Sequence, residues 1–141
     1  MDHVVYLDTR ARQLEKLLSG QKTMIIRGAT GRKMPHGRVT AGDVLYSINN
    51  NAEGKVCACA TVVSAFHSEK MDEAASCALV DQNQPKLCLT DQQVVRWSGK
   101  RYLVLIEVGG VAPVEPFMID KSRYGNMDDW LPVETIASVR V

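Results

Sequence analysis

No stretch of this chain approaches the roughly 20 consecutive apolar residues that cross a bilayer as a helix, so no membrane span is predicted. The first residues lack a basic start followed by an apolar run, which predicts no secretory signal. The four cysteines, Cys57, Cys59, Cys77 and Cys88, do not fall in Cys-x-x-Cys pairs. That spacing argues against structural zinc and against a disulfide framework, and the thiols read as reduced in a cytoplasmic protein. A reading of Cys57, Cys59 and His67 as a metal set leaves a fourth ligand unassigned and is set aside. Neither a metal nor a cofactor is called for. Repeats, low-complexity tracts and linkers are also missing.

What remains is ordinary globular composition: 141 residues, 45% of them apolar and 23% charged. That is enough for one domain, residues 1–141, with a real core. The net charge is only +1, yet it is unevenly spread. Residues 1–40 carry eight Lys/Arg against three Asp/Glu, whereas residues 41–141 carry nine against thirteen. A basic first section on a near-neutral whole predicts a localised anion site rather than indiscriminate binding to polyanions.

The chain is organised around Gly20-Gln21-Lys22-Thr23-Met24-Ile25-Ile26-Arg27. Ahead of it, Ala11, Leu14, Leu17 and Leu18 recur at three and four residues, which predicts a helix from Arg10 to Ser19 capped by Asp8 or Thr9. Gly20 suits the C-cap, where a left-handed residue is needed. Thr23–Ile26 then reads as a strand with Ile25 and Arg27 on one face and Met24 and Ile26 on the other. Lys22 and Arg27 bracket this apolar run, and cations held beside buried surface need an anion or a row of acceptors.

A basic, turn-rich loop with Arg32, Lys33 and Arg38 follows from Gly28 to Gly42. Gly42-Asp43 introduces a strand to Ile48, and Lys55–Phe66 returns as a long central strand, forming a hairpin. Ser68 to about Val80 predicts a helix capped by Ser68 and broken by Pro85. Thr90-Asp91-Gln92-Gln93 is a capping box for a second helix reaching Trp97. Tyr102–Val108 alternates as a strand, Gly109-Gly110 and Pro113 punctuate it, and Pro116–Ile119 and Ile136–Val141 read as short strands. Between the last two, residues 120–133 concentrate turn formers, carboxylates and aromatics in a loop-like segment, a pattern of connectors or sites.

On Gly20, Lys22 and Arg27, the helix before them, Gly42-Asp43 and the hairpin after it, the sequence resembles an ASCH domain of the PUA-like superfamily. The family signature is Gly-x-Lys-x-x-Glu-x-Arg, and Ile25 stands at its Glu position. The resemblance implies an α+β fold: a PUA-like, mostly antiparallel β-barrel of five to seven strands with about three peripheral helices. It also implies recognition of RNA or modified nucleosides. Ile25 supplies neither carboxylate nor hydroxyl, so what carries over is the binding half of the signature.

Three readings follow. In the first, the chain binds RNA or a nucleotide in a cationic cleft formed by Lys22, Arg27 and Lys33 with the segment Tyr124, Asn126, Asp128, Asp129 and Trp130. Tyr124 or Trp130 would stack on an unpaired base, and Asp128 or Asp129 could instead pair with the cations. In the second, it is a small amidohydrolase or ribonuclease acting on modified nucleosides or RNA. Lys22 would then be an activated amine, and Asp128, Asp129 or Glu107 the carboxylate. In the third, it is a protein-interaction domain without a nucleic-acid role.

Overall fold

A 13-residue strand and a 17-residue strand, β4 (Lys55–His67) and β5 (Tyr102–Met118), form the spine of the molecule. The computed structural model describes residues 1–51, 53–122 and 129–141. Around the spine stand β1 (Asp2–Leu7), β2 (Met24–Ala29), β3 (Val44–Asn49) and β6 (Trp130–Glu134). They make one six-stranded sheet in the order β2-β5-β4-β3-β1-β6, antiparallel except for the parallel β1–β3 pair. The sheet curls into a half-barrel with β2 at one end and β6 at the other. Three helices, α1 (Gln13–Ser19), α2 (Glu73–Leu87) and α3 (Asp91–Trp97), complete an α+β fold, as the sequence predicts.

Several boundaries differ from the sequence expectations. Gly109-Gly110, Pro113 and Pro116 do not interrupt β5, because register shifts against β4 absorb the irregular residues as bulges. β6 occupies part of the segment read as a loop. The end of the chain is a 3-10 turn, Ile136–Ser138, with a single bridge between Ile119 and Arg140 rather than a final strand. Pro85 lies inside α2, where it falls in the last turns and forfeits one helical hydrogen bond. Ser68 is not the cap of α2. Its hydroxyl accepts from Leu103 N, while Asp72 caps the helix by accepting from Ala75 N.

The leading helix also begins later than its apolar spacing implies. Asp8 accepts from Arg10 N in a tight turn, and Arg12, in the left-handed region, precedes Gln13. Gly20 closes the helix at φ 80°, in the role its sequence position suggests. This phase turns Gln13, Leu14 and Leu17 inward and leaves Leu18 40% exposed, so Leu18 is not a core residue. Leu14→Ala should cost about 2–4 kcal/mol and Leu18→Ala under about 0.5 kcal/mol. Urea midpoints of the two variants measure this directly, and equal losses would contradict the helix phase.

Alternation along the strands divides the core. Ile25, Val104 and Ile106 join Leu14, Leu17, Val5 and Trp130 inside the curl. Met24, Ile26, Leu103 and Leu105 face the other way, against Val80 and Leu87 of α2 and Trp97 of α3. A third cluster, with Val4, Leu131 and Val139, backs β1 and β6. Gly28 lets β2 approach β5 closely, since a Cβ there would lie 2.6 Å from Leu103 Cδ2 and 3.0 Å from Tyr102 O. Among the described residues, no helix is long and apolar enough to cross a membrane.

Candidate functional site

The two motif cations leave β2 and its lead-in on opposite sides. Lys22 shares the parity of Met24 and Ile26 and is 1% exposed, with its Nζ donating to Leu87 O at the end of α2. Thr23 N donates to Lys86 O one residue earlier, and Lys16 Nζ to Cys88 O one residue later. Lys22 therefore meets the carbonyl-rich, negative end of a helix, an acceptor set that answers the need for a partner. Burial, reinforced by the Arg27 charge, lowers its pKa to about 7. It does not line the cavities around Arg27, so the two cations do not share one wall.

This burial links Lys22 to stability. The unfolded chain binds a proton at Lys22 up to its ordinary value of 10.5, whereas the folded chain releases it near 7. Between those values the unfolded state holds more protons, so stability rises with pH across that window and the penalty is greatest below it. Lys22→Met should flatten this rise. Urea midpoints of parent and variant between about pH 6 and 9.5 provide the comparison, and parallel curves would show that Lys22 does not titrate in the window.

Arg27 points the other way, with Ile25. Its Nη1 donates to Ile26 O at 2.7 Å and its Nη2 to Tyr6 O at 2.7 Å. Nε lies 3.1 Å from Asp129 Oδ2 as an ion pair, although its N–H is not aimed at that oxygen. Burial lowers the Arg27 pKa, and Asp129 partly offsets the effect. Tyr6 belongs to β1 and Asp129 immediately precedes β6, so one guanidinium joins the β2 end of the sheet to the β1–β6 end. It spans the opening where a barrel would close.

Trp130 corrects the sequence reading of a stacking platform. It is 1% exposed, its Nε1 donates to His3 Nδ1 at 3.0 Å, and its ring lies 5.8 Å from the Arg27 guanidinium carbon. No face of the ring is open to a base. Because Trp130 only donates, His3 Nδ1 accepts, and His3 Nε2 donates to Asp43 Oδ2 at 2.8 Å. Burial lowers the His3 pKa in agreement with that neutral tautomer. Gly42, at φ 93°, places Asp43 for this contact, which gives the Gly42-Asp43 pair a structural role.

Asp129 and Lys33 do reach the surroundings of Arg27. A cavity of about 390 Å³ lies over the end of β1, the 8–13 turn and Arg27, and an adjoining one of about 400 Å³ runs toward Lys33 and Lys100. Both are walled by Arg27, Arg96, Trp97 and Asp129. Tyr124, Asn126 and Asp128 lie outside the described residues. Of the described members of the hydrolase set, Glu107 pairs with Lys86 at 2.9 Å, Asp129 pairs with Arg27, and Lys22 is enclosed. His67 is likewise engaged, accepting from Gly37 N and donating to Val39 O. Among the described residues no group of three His, Cys, Asp or Glu is gathered for a metal, and the four cysteines are unpaired.

Sequence reasoning missed Arg10, Gln13, Arg96 and Trp97 as cavity walls. The legible signal for Gln13 was its position four residues before Leu17, a polar side chain within an inward face. For Arg96 it was the adjacent Trp97, on whose ring the guanidinium carbon stacks at 4.5 Å.

No family model matches this sequence, and no curated protein matches it. Solved structures do resemble it. A serine-to-alanine variant of the ASCH protein from Zymomonas mobilis has a TM-score of 0.69 at 13% identity, covering 97% of this chain and 91% of that one. A tyrosine-to-phenylalanine variant has a TM-score of 0.68 at 14% identity, covering 99% of both chains. A third structure, of ASCH from the same organism, has a TM-score of 0.65 at 16% identity, covering 94% of this chain and 89% of that one. At such identities the likeness is one of architecture: the six-stranded half-barrel with its three helices is an ASCH-like fold.

Proposed function

We propose that this chain is a single ASCH/PUA-like domain, residues 1–141, that binds single-stranded RNA or a nucleotide in the cleft around Arg27. The observation that carries the reading is the charge of the cleft walls. Among the described residues, Arg10, Arg27, Lys33, Arg96 and Lys100 line the two adjoining cavities together with Asp8 and Asp129, and Asp129 is paired with Arg27. An excess of cations in a concave, partly desolvated site attracts phosphate and strengthens each contact made there. The cavity volumes fall in the range of about 300–1,000 Å³ usual for small-molecule sites. Lys22 is excluded from this role, being enclosed at the end of α2. Four unpaired thiols suit a cytoplasmic setting.

Fluorescence anisotropy with a short labelled single-stranded RNA over a salt series tests the proposal. Affinity should fall with salt, because phosphate contacts release counterions with a slope of about −0.7 per contact. Arg96→Ala removes an exposed cation without opening the core. It should weaken binding and reduce the slope by about 0.7. Salt-independent binding, or an Arg96→Ala variant that binds as the parent does, would sink the phosphate reading.

A further inference from the structure

Two histidines fasten the loop between β2 and β3 to the end of β4. His36 Nε2 lies 2.8 Å from Ser68 O, and His67 Nε2 lies 2.8 Å from Val39 O. A carbonyl only accepts, so both Nε2 atoms carry a hydrogen. Gly37 N donates to His67 Nδ1 at 2.9 Å, so that nitrogen keeps its lone pair. The His67 ring therefore grips the loop at two points, Gly37 and Val39. Only its neutral Nε2–H form satisfies both.

The rings of His36 and His67 meet edge to face at 5.4 Å, and His36 meets Tyr102 of β5 in the same way at 5.6 Å. Arg32 lies over the Tyr102 ring at 5.6 Å and pairs with Glu69 at 3.4 Å, both side chains being exposed. Among the described residues, no carboxylate pairs with either of these two imidazoles. Nothing in this stack is thus placed to favour a charged ring.

Protonation acts on the arrangement in one direction. A second proton on the His67 ring goes to Nδ1, which then meets the Gly37 N–H donor to donor. That hydrogen bond is lost, whereas the one from Nε2 to Val39 O survives. A charge on His36 as well would set two cations edge to face and add to the repulsion. Val39 is fully buried inside the curl, Pro35 is buried and Met34 rests on the same core, so the loop loosens rather than unravels. The segment affected, residues 30–38, includes Lys33 and Met34, which wall the cavity of about 400 Å³ beside Arg27.

We infer that His36 and His67 form a proton-operated latch on this loop. It is fastened while His67 is neutral and loosened once Nδ1 is protonated, and the Lys33–Met34 wall of the cavity loosens with it. Histidine suits the role, since its ordinary charge change falls between about pH 5 and 8. The latch does not rest on the proposed nucleotide binding.

Nuclear magnetic resonance of the full chain between about pH 5 and 8 tests it. Ring nitrogen shifts should show the Nε2–H tautomer of His67 at the upper end and protonation of Nδ1 within the range. The protection factor of the Gly37 amide, corrected for the intrinsic pH dependence of exchange, should fall about tenfold through the same transition. Leu105, buried at the centre of the sheet, should keep its protection, which separates loosening of the loop from unfolding. His67→Asn puts an amide oxygen near the Nδ1 position, an acceptor that does not titrate, so its Gly37 protection should be independent of pH. His67→Phe removes the acceptor and should leave Gly37 as weakly protected at the upper pH as the parent is at the lower. The latch is overturned by a His67 ring that stays neutral throughout, or by Gly37 protection that does not follow its titration. It is also overturned if His67→Asn keeps the parent's pH dependence, or if Gly37 and Leu105 lose protection together. The parent's own measurements decide the matter even if neither variant folds.

Discussion

Replacing Arg27 by alanine is expected to destabilise the fold by about 2–4 kcal/mol and to weaken the proposed nucleotide binding by at least about 1 kcal/mol. Two charge-assisted hydrogen bonds, to Ile26 O and Tyr6 O, disappear together with the ion pair to Asp129. The carboxylate itself adds little to the loss, because its side chain is 40% exposed and water can replace the guanidinium there. Most of the cost comes from the two carbonyls, and from the loss of a side chain that ties β2 to β1 and to the start of β6. Arg27→Lys should recover little of it. A single ammonium cannot reach Tyr6 O, Ile26 O and Asp129 at once, as the planar fork does. Urea unfolding gives the first effect, and anisotropy at a temperature where the variant remains folded gives the second. A variant with the parent's midpoint would show that Arg27 does not hold the two ends of the sheet. A folded variant with the parent's affinity would detach Arg27 from the cleft's function.

Ile25→Glu, which restores the carboxylate of the ASCH signature, is expected to be the more damaging change, with a loss above about 4 kcal/mol at neutral pH. Ile25 is 2% exposed and packs inside the curl with Leu14, Leu17 and Ile106. A carboxylate there has no partner and must be ionised in an apolar surround or take up a proton. Its folded-state pKa would be raised above the unfolded value, so the penalty should shrink as pH falls toward the ordinary glutamate range. Ile25→Val, which only trims a methylene, should cost about 0.5–1.5 kcal/mol. Circular dichroism melts of both variants at pH 7 and near pH 4.5 separate burial of charge from loss of packing. An Ile25→Glu protein with the parent's stability at pH 7 would place position 25 in the cleft.

How far the chain could be read differs from one element to another. The α1 stripe, the Gly20 stop, the Thr90–Gln93 capping box and the β3–β4 hairpin rest on interactions a few residues apart, so local spacing reveals them. Pattern alone was misleading where a distant partner overrides local preference. Glycines and prolines usually end strands, yet β5 continues through Gly109-Gly110, Pro113 and Pro116 because β4 pairs along its length with bulges. Leu18 has the right spacing for a core face, but the turn at residues 8–12 delays the helix and rotates Leu18 outward.

The candidate site shows the same division. From the amino-acid order alone came the ASCH resemblance, the α+β barrel-like architecture, the shared face of Ile25 and Arg27 opposite Met24 and Ile26, and Asp129 as a candidate partner for the motif cations. Parity follows from the two-residue repeat of a strand and needs no tertiary knowledge. What Lys22 and Arg27 are for was decided only in three dimensions. Lys22 is consumed by the carbonyls ending α2, some 65 residues away in sequence, and Arg27 by a carbonyl of β1 and a carboxylate beside β6. Trp130 became core rather than platform because β6 pairs with β1 and turns its ring toward His3. Arg96 and Gln13 entered the cleft because α1 and α3 come to flank the same opening in the half-barrel. A sequence records which groups need partners; the closing of the sheet determines which partners arrive, because contacts between distant segments leave no local periodicity to read.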